Sequence, residues 1–200
     1  MKVTLVSRSI SEVEGIVSYS DFIAFIARIG TVKENSEKLV DYLMKHSHWS
    51  PFEHAFFTFK IETSRAIGRE LLRHRSFVFQ ERSQRYEKVS VGDFELRQQA
   101  EKNRQSSTDV IEDPELKQLV QEYLAYSQEV YEKLLEKNVA RECARFVLPE
   151  STETTILMTG NIRSWYHFMQ LRLDETAQKE IREVAQEIKK ILSLYLPRLF

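Results

Sequence analysis

The sequence predicts an α+β fold in which helices flank an antiparallel sheet. Within the segment from Ala55 to Thr63, apolar residues at 57, 59 and 61 alternate with polar residues at 58, 60 and 62, which is typical of a strand with one wet face. A second apolar segment, from Glu153 to Thr159, has the length and composition of a strand. Long helical patterns surround both segments, and the five glycines form no G-x-G-x-x-G dinucleotide-binding motif. One α+β domain over residues 1–200 is therefore favoured over a doubly wound parallel sheet.

The elements of the N-terminal half follow from periodicity and from residues that begin or end helices. Lys2 to Val6 has the apolar character of a short strand. Ser20 to Ile29 has helical periodicity and is closed by Gly30. Asn35 is predicted to cap a second helix, and Ser64 to begin a third one directly after the alternating strand. The third helix is expected to carry Arg65, Arg69 and Arg73 on one face, and a loop is expected to follow its C-terminus.

The C-terminal half is predicted to be mostly helical. Residues 92–113 are polar with few apolar anchors, so we expect a long surface excursion that is partly helical or mobile. Pro114 begins an amphipathic helix that extends to about Lys137, and a short helix is expected from Val139 to Phe146. Asn161 is placed to cap the next helix, and a final helix is expected from about Thr176 to Tyr195.

The composition is that of an ordinary globular protein. Hydrophobic residues make up 42% and charged residues 30%, with a formal net charge of −1. Charged residues interrupt the first thirty positions, and no apolar run reaches the length of a membrane span. We therefore expect a cytoplasmic protein with no membrane partner.

Cys143 is the only cysteine, so no intrachain disulfide or cysteine metal cluster can form. It lies in a helical pattern between Ala140 and Ala144, which predicts a small buried structural thiol. The sequence therefore offers no convincing cysteine nucleophile and no metal site.

The strongest motif is Arg73-His74-Arg75, followed after seven residues by Ser83, with Glu81 two positions before that serine and Arg85 two after it. It concentrates positive charge in a chain whose net charge is only −1. The planar fork of arginine meets phosphate oxygens better than lysine does, so the motif predicts a phosphate-binding site.

This motif resembles the signature of the flavin-dependent thymidylate synthases. Further resemblance is carried, in the same order along the chain, by residues 45–54, 141–149, 161–164 and 171–172. The resemblance implies that family's fold, FAD as cofactor, and reductive methylation of dUMP to dTMP. Methylenetetrahydrofolate would donate the carbon, NADPH would reduce the flavin, and no enzyme nucleophile would be needed. It also implies a homotetramer whose active sites are shared between subunits.

The resemblance further implies roles for individual residues. Arg172 would be catalytic, because a permanent cation can stabilise negative charge that develops on the uracil. The implied FAD contacts are Ser50, Arg73, His74, Arg75, Glu81, Asn161, Ile162, Arg163 and His167. The implied dUMP contacts are Glu70, Leu71, Leu72, Arg73, Glu81, Arg82, Ser83, Gln84, Arg85, Arg145 and Arg172. Ser83 is assigned to binding because a serine hydroxyl is a weak nucleophile without an adjacent base.

Several positions leave two interpretations open. Glutamine often stands in relatives at the position of Glu70, and His167 and Thr176 also lie where the family pattern varies. His48 and Glu53 flank the loop that carries Ser50, where they either shape the folate and flavin entrance or cap and hold the loop.

Two other functions compete with this interpretation. The arginine-rich segment includes Phe77, Phe79 and Tyr86, a combination that could bind nucleic acid, but the balanced charge gives no broad basic surface. A flavin-binding protein without methyl transfer is the third possibility. Bound flavin and turnover of dUMP distinguish the three functions.

Overall fold

The structure is a computed structural model that describes residues 1–200. Its strands are β1 (Lys2–Arg8), β2 (Phe56–Ser64), β3 (Val78–Glu81), β4 (Arg97–Gln99), β5 (Ser107–Val110) and β6 (Glu153–Asn161). Its helices are α1 (Tyr19–Ala27), α2 (Ser36–Lys45), α3 (Arg65–Leu71), α4 (Pro114–Glu136), α5 (Arg141–Ala144), α6 (Ile162–Arg172) and α7 (Lys179–Ser193). Short 3₁₀ turns span Ser50–His54 and Arg145–Val147.

The main sheet has the strand order β1-β2-β6-β3, and every neighbouring pair is antiparallel. The two strands predicted from the sequence, β2 and β6, are its centre, with Phe59 opposite Met158 and Ile61 opposite Ile156. These four side chains are fully buried. The predicted α+β fold with an antiparallel sheet is confirmed.

The core lies between one face of this sheet and helices α6 and α7. The Trp165 ring meets Phe59 edge-on, with ring centroids 5.0 Å apart, and its indole N–H donates to the Phe57 carbonyl at 3.3 Å. Burial of two strands and an aromatic helix face supplies the hydrophobic stabilisation. Because β6 continues directly into α6, this packing also determines where α6 begins.

Helix capping follows the prediction at one asparagine and departs from it at the other. The Asn161 side chain accepts from the Ser164 N–H at 2.8 Å, so it caps α6 as expected. Asn35 stands at the N-cap position of α2 but has φ 61 and makes no side-chain capping bond. The prediction for Asn35 was right about position and wrong about its bond, because its left-handed backbone serves the turn instead.

The longest helix, α4, begins where it was predicted. Pro114 is its first residue, and the Asp113 carboxylate accepts from the N–H groups of Glu115 and Leu116 at 2.9 and 3.1 Å. No helix of the chain, including the long α4, is both long enough and apolar enough to cross a bilayer.

Three predictions about local structure were wrong. Residues 92–113 carry no helix but a two-stranded hairpin of β4 and β5, held to α7 by the Arg97–Glu180 ion pair at 2.7 Å. The four-residue strand β3 lies in what was expected to be a loop. Helix α3 ends at Leu71, so Arg73 lies beyond it and does not continue the Arg65–Arg69 face.

Cys143 is exposed, which corrects the prediction of a buried thiol. It belongs to the four-residue helix α5, of which only Ala144 is buried. Helical spacing wrongly predicted that Cys143 faces the core, because so short a helix packs through a single residue.

Candidate active site

The predicted cofactor residues come from two segments that lie side by side. The hydroxyl of Ser164, in the first turn of α6, donates to the carbonyl of Ser76 at 3.3 Å. This contact places Arg73, His74 and Arg75 next to the N-terminus of α6, which carries Asn161, Ile162 and Arg163.

The loop that carries Ser50 joins the same region through an ion pair between Glu53 and Arg163. Ser50 and His48 are exposed near this pair. Of the two roles left open for Glu53, holding the loop is the one with a direct contact. His48 makes no such contact, and its ring lies 6.1 Å from the rings of Tyr42 and His46.

Arg172, the predicted catalytic residue, is held by hydrogen bonds to two side chains. One lies at the end of α3 and the other in the turn that follows it. Its Nε donates to His74 Nε2 at 2.8 Å, and its Nη1 donates to Glu70 Oε2 at 3.1 Å. The side chains of Arg172 and Glu70 are 23% and 30% exposed, so the pair is only partly screened by water. The guanidinium therefore has a defined orientation and keeps three of its five N–H groups free.

The Arg172 contact also defines the protonation state of His74. An arginine side chain is always protonated and can only donate, so His74 Nε2 must carry a lone pair and the ring proton must lie on Nδ1. Burial, together with the positive charges of Arg172 and His167, lowers the pKa of His74 from its ordinary value of 6.5 to about 4. The ring packs against Phe168 with centroids 4.9 Å apart. His74 is therefore a neutral group whose Nδ1–H is available as a donor.

Acidification is expected to weaken the fold through His74. Its folded pKa lies below its ordinary value of 6.5, so between that value and about 4 the unfolded chain binds a proton that the folded chain does not. The His74 contribution is complete above pH 6.5 and is lost as the pH falls toward 4. Denaturant titrations at pH 7 and pH 5 should show a smaller loss of stability for His74→Gln than for the wild type. The exposed His46→Gln variant is the control, and an equal loss in wild type and His74→Gln would contradict this assignment.

Three of the predicted phosphate-binding arginines have no partner within the chain. Arg73, Arg75 and Arg145 form no ion pair, whereas the nearby Arg69 and Arg85 are paired with Glu150 and Glu142 at 2.8 and 3.0 Å. Unpaired guanidinium groups suit phosphate oxygens, and those of Arg73 and Arg75 also lie beside the N-terminus of α6. The donors present therefore fit the diphosphate of FAD and the monophosphate of a nucleotide.

The remaining predicted substrate residues form a second group. The Glu81 carboxylate accepts from Arg65 at 3.0 Å and from the Thr154 hydroxyl at 2.8 Å. The segment that follows it contacts Glu142 of α5 through Arg85. The other members of this group are Arg82, Ser83, Gln84 and Arg145. Within one chain, no hydrogen bond or ion pair joins this second group to the Arg172 cluster.

Two predicted contact residues lie in the hydrophobic core. Leu71 and Ile162 are fully buried, whereas Leu72 is exposed. The Ile162 N–H already donates to the Ala55 carbonyl at 3.0 Å. Any contact that Leu71 or Ile162 makes with a ligand must therefore use backbone atoms.

A large groove of the chain lies away from the Arg172 cluster. It has a volume of about 1340 Å³ and runs between α4, the hairpin and the edge of the sheet. Arg82 is the single predicted site residue in its lining. This groove therefore does not enclose the predicted flavin residues.

Sequence reasoning missed the side chains that support the site. Thr154 and Arg65 hold Glu81, and Phe168 packs on His74. Alternation along β6 places Thr154 on the same face as Ile156 and Met158, which was the available signal for a buried hydroxyl. No local pattern connects Phe168 with His74, because they lie on different elements.

Comparison with known proteins identifies one family. Residues 7–198 match the family model described as "Thymidylate synthase complementing protein". A "Probable flavin-dependent thymidylate synthase" of Paramecium bursaria Chlorella virus 1 is 41% identical, with 98% of this chain and 96% of that relative covered. The "Flavin-dependent thymidylate synthase" of Synechocystis sp. is 39% identical, with 90% and 87% covered.

A solved structure has the same fold. It is a UMP/dUMP methylase PolB from Streptomyces cacaoi bound with 5-Br UMP, with a TM-score of 0.83 and 30% sequence identity. The similarity covers 97% of this chain and 89% of that one. Because the family match and the full-length relatives cover nearly every residue described above, the chain belongs to the flavin-dependent thymidylate synthase family.

Proposed function

We propose that this chain catalyses the reductive methylation of dUMP to dTMP at the site around Arg172. Methylenetetrahydrofolate is the carbon donor, and NADPH supplies the reducing equivalents. The observation that carries the proposal is the oriented Arg172–Glu70–His74 cluster beside the unpaired Arg73 and Arg75. FAD, when bound, supplies the redox chemistry that these side chains cannot provide.

The side chains have separate tasks in this proposal. Arg73 and Arg75 bind phosphate groups, and Arg172 stabilises negative charge on the uracil ring. His74 remains neutral and offers its Nδ1–H as a donor. Ser83 has no adjacent base, and its hydroxyl accepts from the Arg85 N–H at 3.3 Å, which suits a binding role.

The purified protein tests this function directly. We expect a yellow protein with flavin absorbance that forms dTMP from dUMP, methylenetetrahydrofolate and NADPH. A yellow protein without turnover under these conditions would indicate a flavin-binding protein without methyl transfer. A colourless protein that takes up no added FAD would contradict the proposal, and the nucleic-acid alternative would then be tested with single-stranded DNA.

We further propose a homotetramer in which active sites contain residues of more than one chain. No hydrogen bond or ion pair joins the two groups of site residues within one chain, so a second chain can complete the site. Helix α4 also presents an apolar surface formed by Leu119, Tyr123 and Tyr126, whose exposures are 61%, 56% and 65%. An exposed apolar surface of this kind is typical of subunit contacts.

Mixed assemblies are expected to recover activity. Arg172→Ala, in the first group, and Arg145→Ala, in the second group, should each be inactive, but subunit exchange between them should form some sites that carry neither substitution. Recovery requires that the two residues of one site come from different chains. Turnover is measured after exchange, with mixed oligomers verified by native mass spectrometry. If verified mixed tetramers stay inactive, the two residues of one active site come from the same chain.

Cys143→Ala is expected to retain wild-type turnover, because the proposed chemistry uses no thiolate. Cys143 is exposed, so the substitution removes little buried surface and leaves the fold intact. Initial rates and flavin content are compared with those of the wild type. A folded, flavin-loaded variant without turnover would overturn the mechanism without an enzyme nucleophile.

A further inference from the structure

The proposed mechanism gives no task to the β4–β5 hairpin, although Arg97 fixes this hairpin to α7. Arg97 Nη2 lies 2.7 Å from a carboxylate oxygen of Glu180, in the first turn of α7. On the hairpin side, Arg97 donates from Nη1 to Glu95 at 2.9 Å and from Nε to Ser107 Oγ at 2.8 Å. The Arg97 side chain is only 10% exposed, so water screens these ion pairs weakly.

A second ion pair joins the hairpin to the same turn of α7. Lys179 is the first residue of α7, and its Nζ donates to Glu95 at 2.7 Å. Opposite charges therefore meet twice, with Glu95 and Arg97 on the hairpin side and Lys179 and Glu180 on the helix side. Such a network holds two elements together more firmly than an isolated exposed pair does. We call these four side chains the hairpin–α7 clamp.

The hairpin–α7 clamp lies next to the turn that follows the catalytic arginine. Arg172 is the last residue of α6, and residues 173–178 join it to α7. The hairpin also contacts this turn directly, because the Ser106 hydroxyl donates to the Thr176 carbonyl at 3.4 Å. The hairpin, the start of α7 and the end of α6 are therefore connected.

Arg172 depends on a fixed end of α6. The last carbonyl groups of a helix have no partner within it, so a helix end opens easily unless other elements hold it. The Arg172 contacts to His74 and Glu70, at 2.8 and 3.1 Å, place the guanidinium only if α6 ends in this position. A catalytic group that is displaced by about 1 Å can lose about 100-fold in rate.

We propose that Arg97 is a positioning residue for methyl transfer: through the hairpin–α7 clamp it fixes the 173–178 turn and so keeps the Arg172 guanidinium in its catalytic orientation. This inference rests on the proposed function, because it assumes that Arg172 acts on the uracil. It goes beyond that function, since it gives a task in the reaction to a hairpin that carries none of the expected contact residues.

Arg97→Met is the informative substitution, because it removes the charge and the donors but keeps much of the side-chain length. We expect kcat to fall by about tenfold, as a small displacement of Arg172 would cause. Flavin content and the KM for dUMP should stay within about twofold of the wild type, because the lost interaction acts on the transition state. Arg97→Lys should recover part of kcat, since an ammonium keeps the charge but not the planar fork.

The matched control is Arg198→Met. Arg198 also pairs with two carboxylates, those of Glu37 and Asp41, but it joins the C-terminal segment to α2 and not to the 173–178 turn. Rates are measured on flavin-loaded protein at a temperature at which circular dichroism shows every variant to be folded. The control should keep the wild-type kcat. An equal fall in both variants would mean that any lost ion-paired arginine slows the enzyme, and the inference would be wrong.

A double-mutant cycle tests whether Arg97 acts through Arg172. In an Arg172→Lys background, Arg97→Met should lower kcat by less than about twofold, because no oriented guanidinium remains to be displaced. A full tenfold loss in that background would contradict the proposal. If Arg97→Met does not fold, Glu180→Gln removes the partner on α7 instead and must show the same coupling.

Failure of this inference differs from failure of the proposed function. A wild type that methylates dUMP, together with an Arg97→Met variant of normal kcat, contradicts the role of Arg97 alone. A flavin-loaded wild type that does not methylate dUMP contradicts the proposed function and this inference with it.

Discussion

Arg172→Lys is expected to retain FAD and to lose methyl transfer by roughly 100-fold or more. Removing one oriented donor at a site of developing charge costs about 2.7–4 kcal/mol of transition-state stabilisation. Lysine keeps the positive charge but has no planar fork, so it cannot hold the contacts to His74 and Glu70 and still face the uracil. The loss should appear in kcat more than in KM.

The measurement compares kcat, KM and flavin content with those of the wild type. Arg69→Lys is the matched control, since Arg69 is an exposed arginine near the site that pairs with Glu150. Its kinetics should stay within about twofold of the wild type, as exposed ion pairs contribute little. Normal turnover by Arg172→Lys would remove Arg172 from its catalytic role.

Gly160→Ala should cause the largest loss of stability from a single added methyl group. A Cβ at position 160 would lie 2.4 Å from Cδ1 and Cε1 of Phe77, far inside van der Waals contact. Phe77 cannot give way easily, because it is 7% exposed and its ring packs edge-on against Trp165 with centroids 4.6 Å apart. Overpacking of this kind costs about 1–3 kcal/mol.

The expected thermal shift is a Tm lower by roughly 2–12 °C for a chain of this length. A double-mutant cycle with Phe77→Leu separates the clash from other effects, since leucine lacks the Cε1 atom. The cost of Gly160→Ala should be smaller in the Phe77→Leu background. Equal costs in both backgrounds would show that Phe77 is not the group that excludes a side chain at position 160.

The contact between position 160 and Phe77 connects the stability of the fold with the geometry of the active site. Phe77 directly follows the segment that carries Arg73, His74 and Arg75, and its ring lies 6.2 Å from that of His74. A displaced Phe77 would therefore disturb the histidine that orients Arg172. Gly160→Ala should lower turnover even at temperatures where the variant remains folded.

Much of the fold could be predicted from the sequence because it depends on neighbouring residues. Alternation at period two identified β2, whose Phe57, Phe59 and Ile61 face the core, and an apolar segment of strand length identified β6. A proline identified the start of α4, and the Asn161 side chain identified the start of α6. These signals depend on residues that are close in sequence, so they can be recognised without knowledge of any tertiary contact.

Other elements depend on partners that are distant in sequence. Strand β3 has only four residues and forms by pairing with β6, and the β4–β5 hairpin is tied to α7 through Arg97. Cys143 lies on the exposed side of a helix too short to have a reliable apolar face. Short segments have weak intrinsic preferences, so their conformation is decided by the surfaces on which they pack.

The same distinction applies to the site. By itself, the sequence determined the arginine motif, the family resemblance and the residue types that bind phosphate. Only the tertiary structure decided that Arg172 contacts His74 and Glu70, which are 98 and 102 residues away in the chain. Local patterns record the preferences of the backbone and of neighbouring side chains, whereas a contact between the ends of two helices exists only after the sheet and its helices have packed.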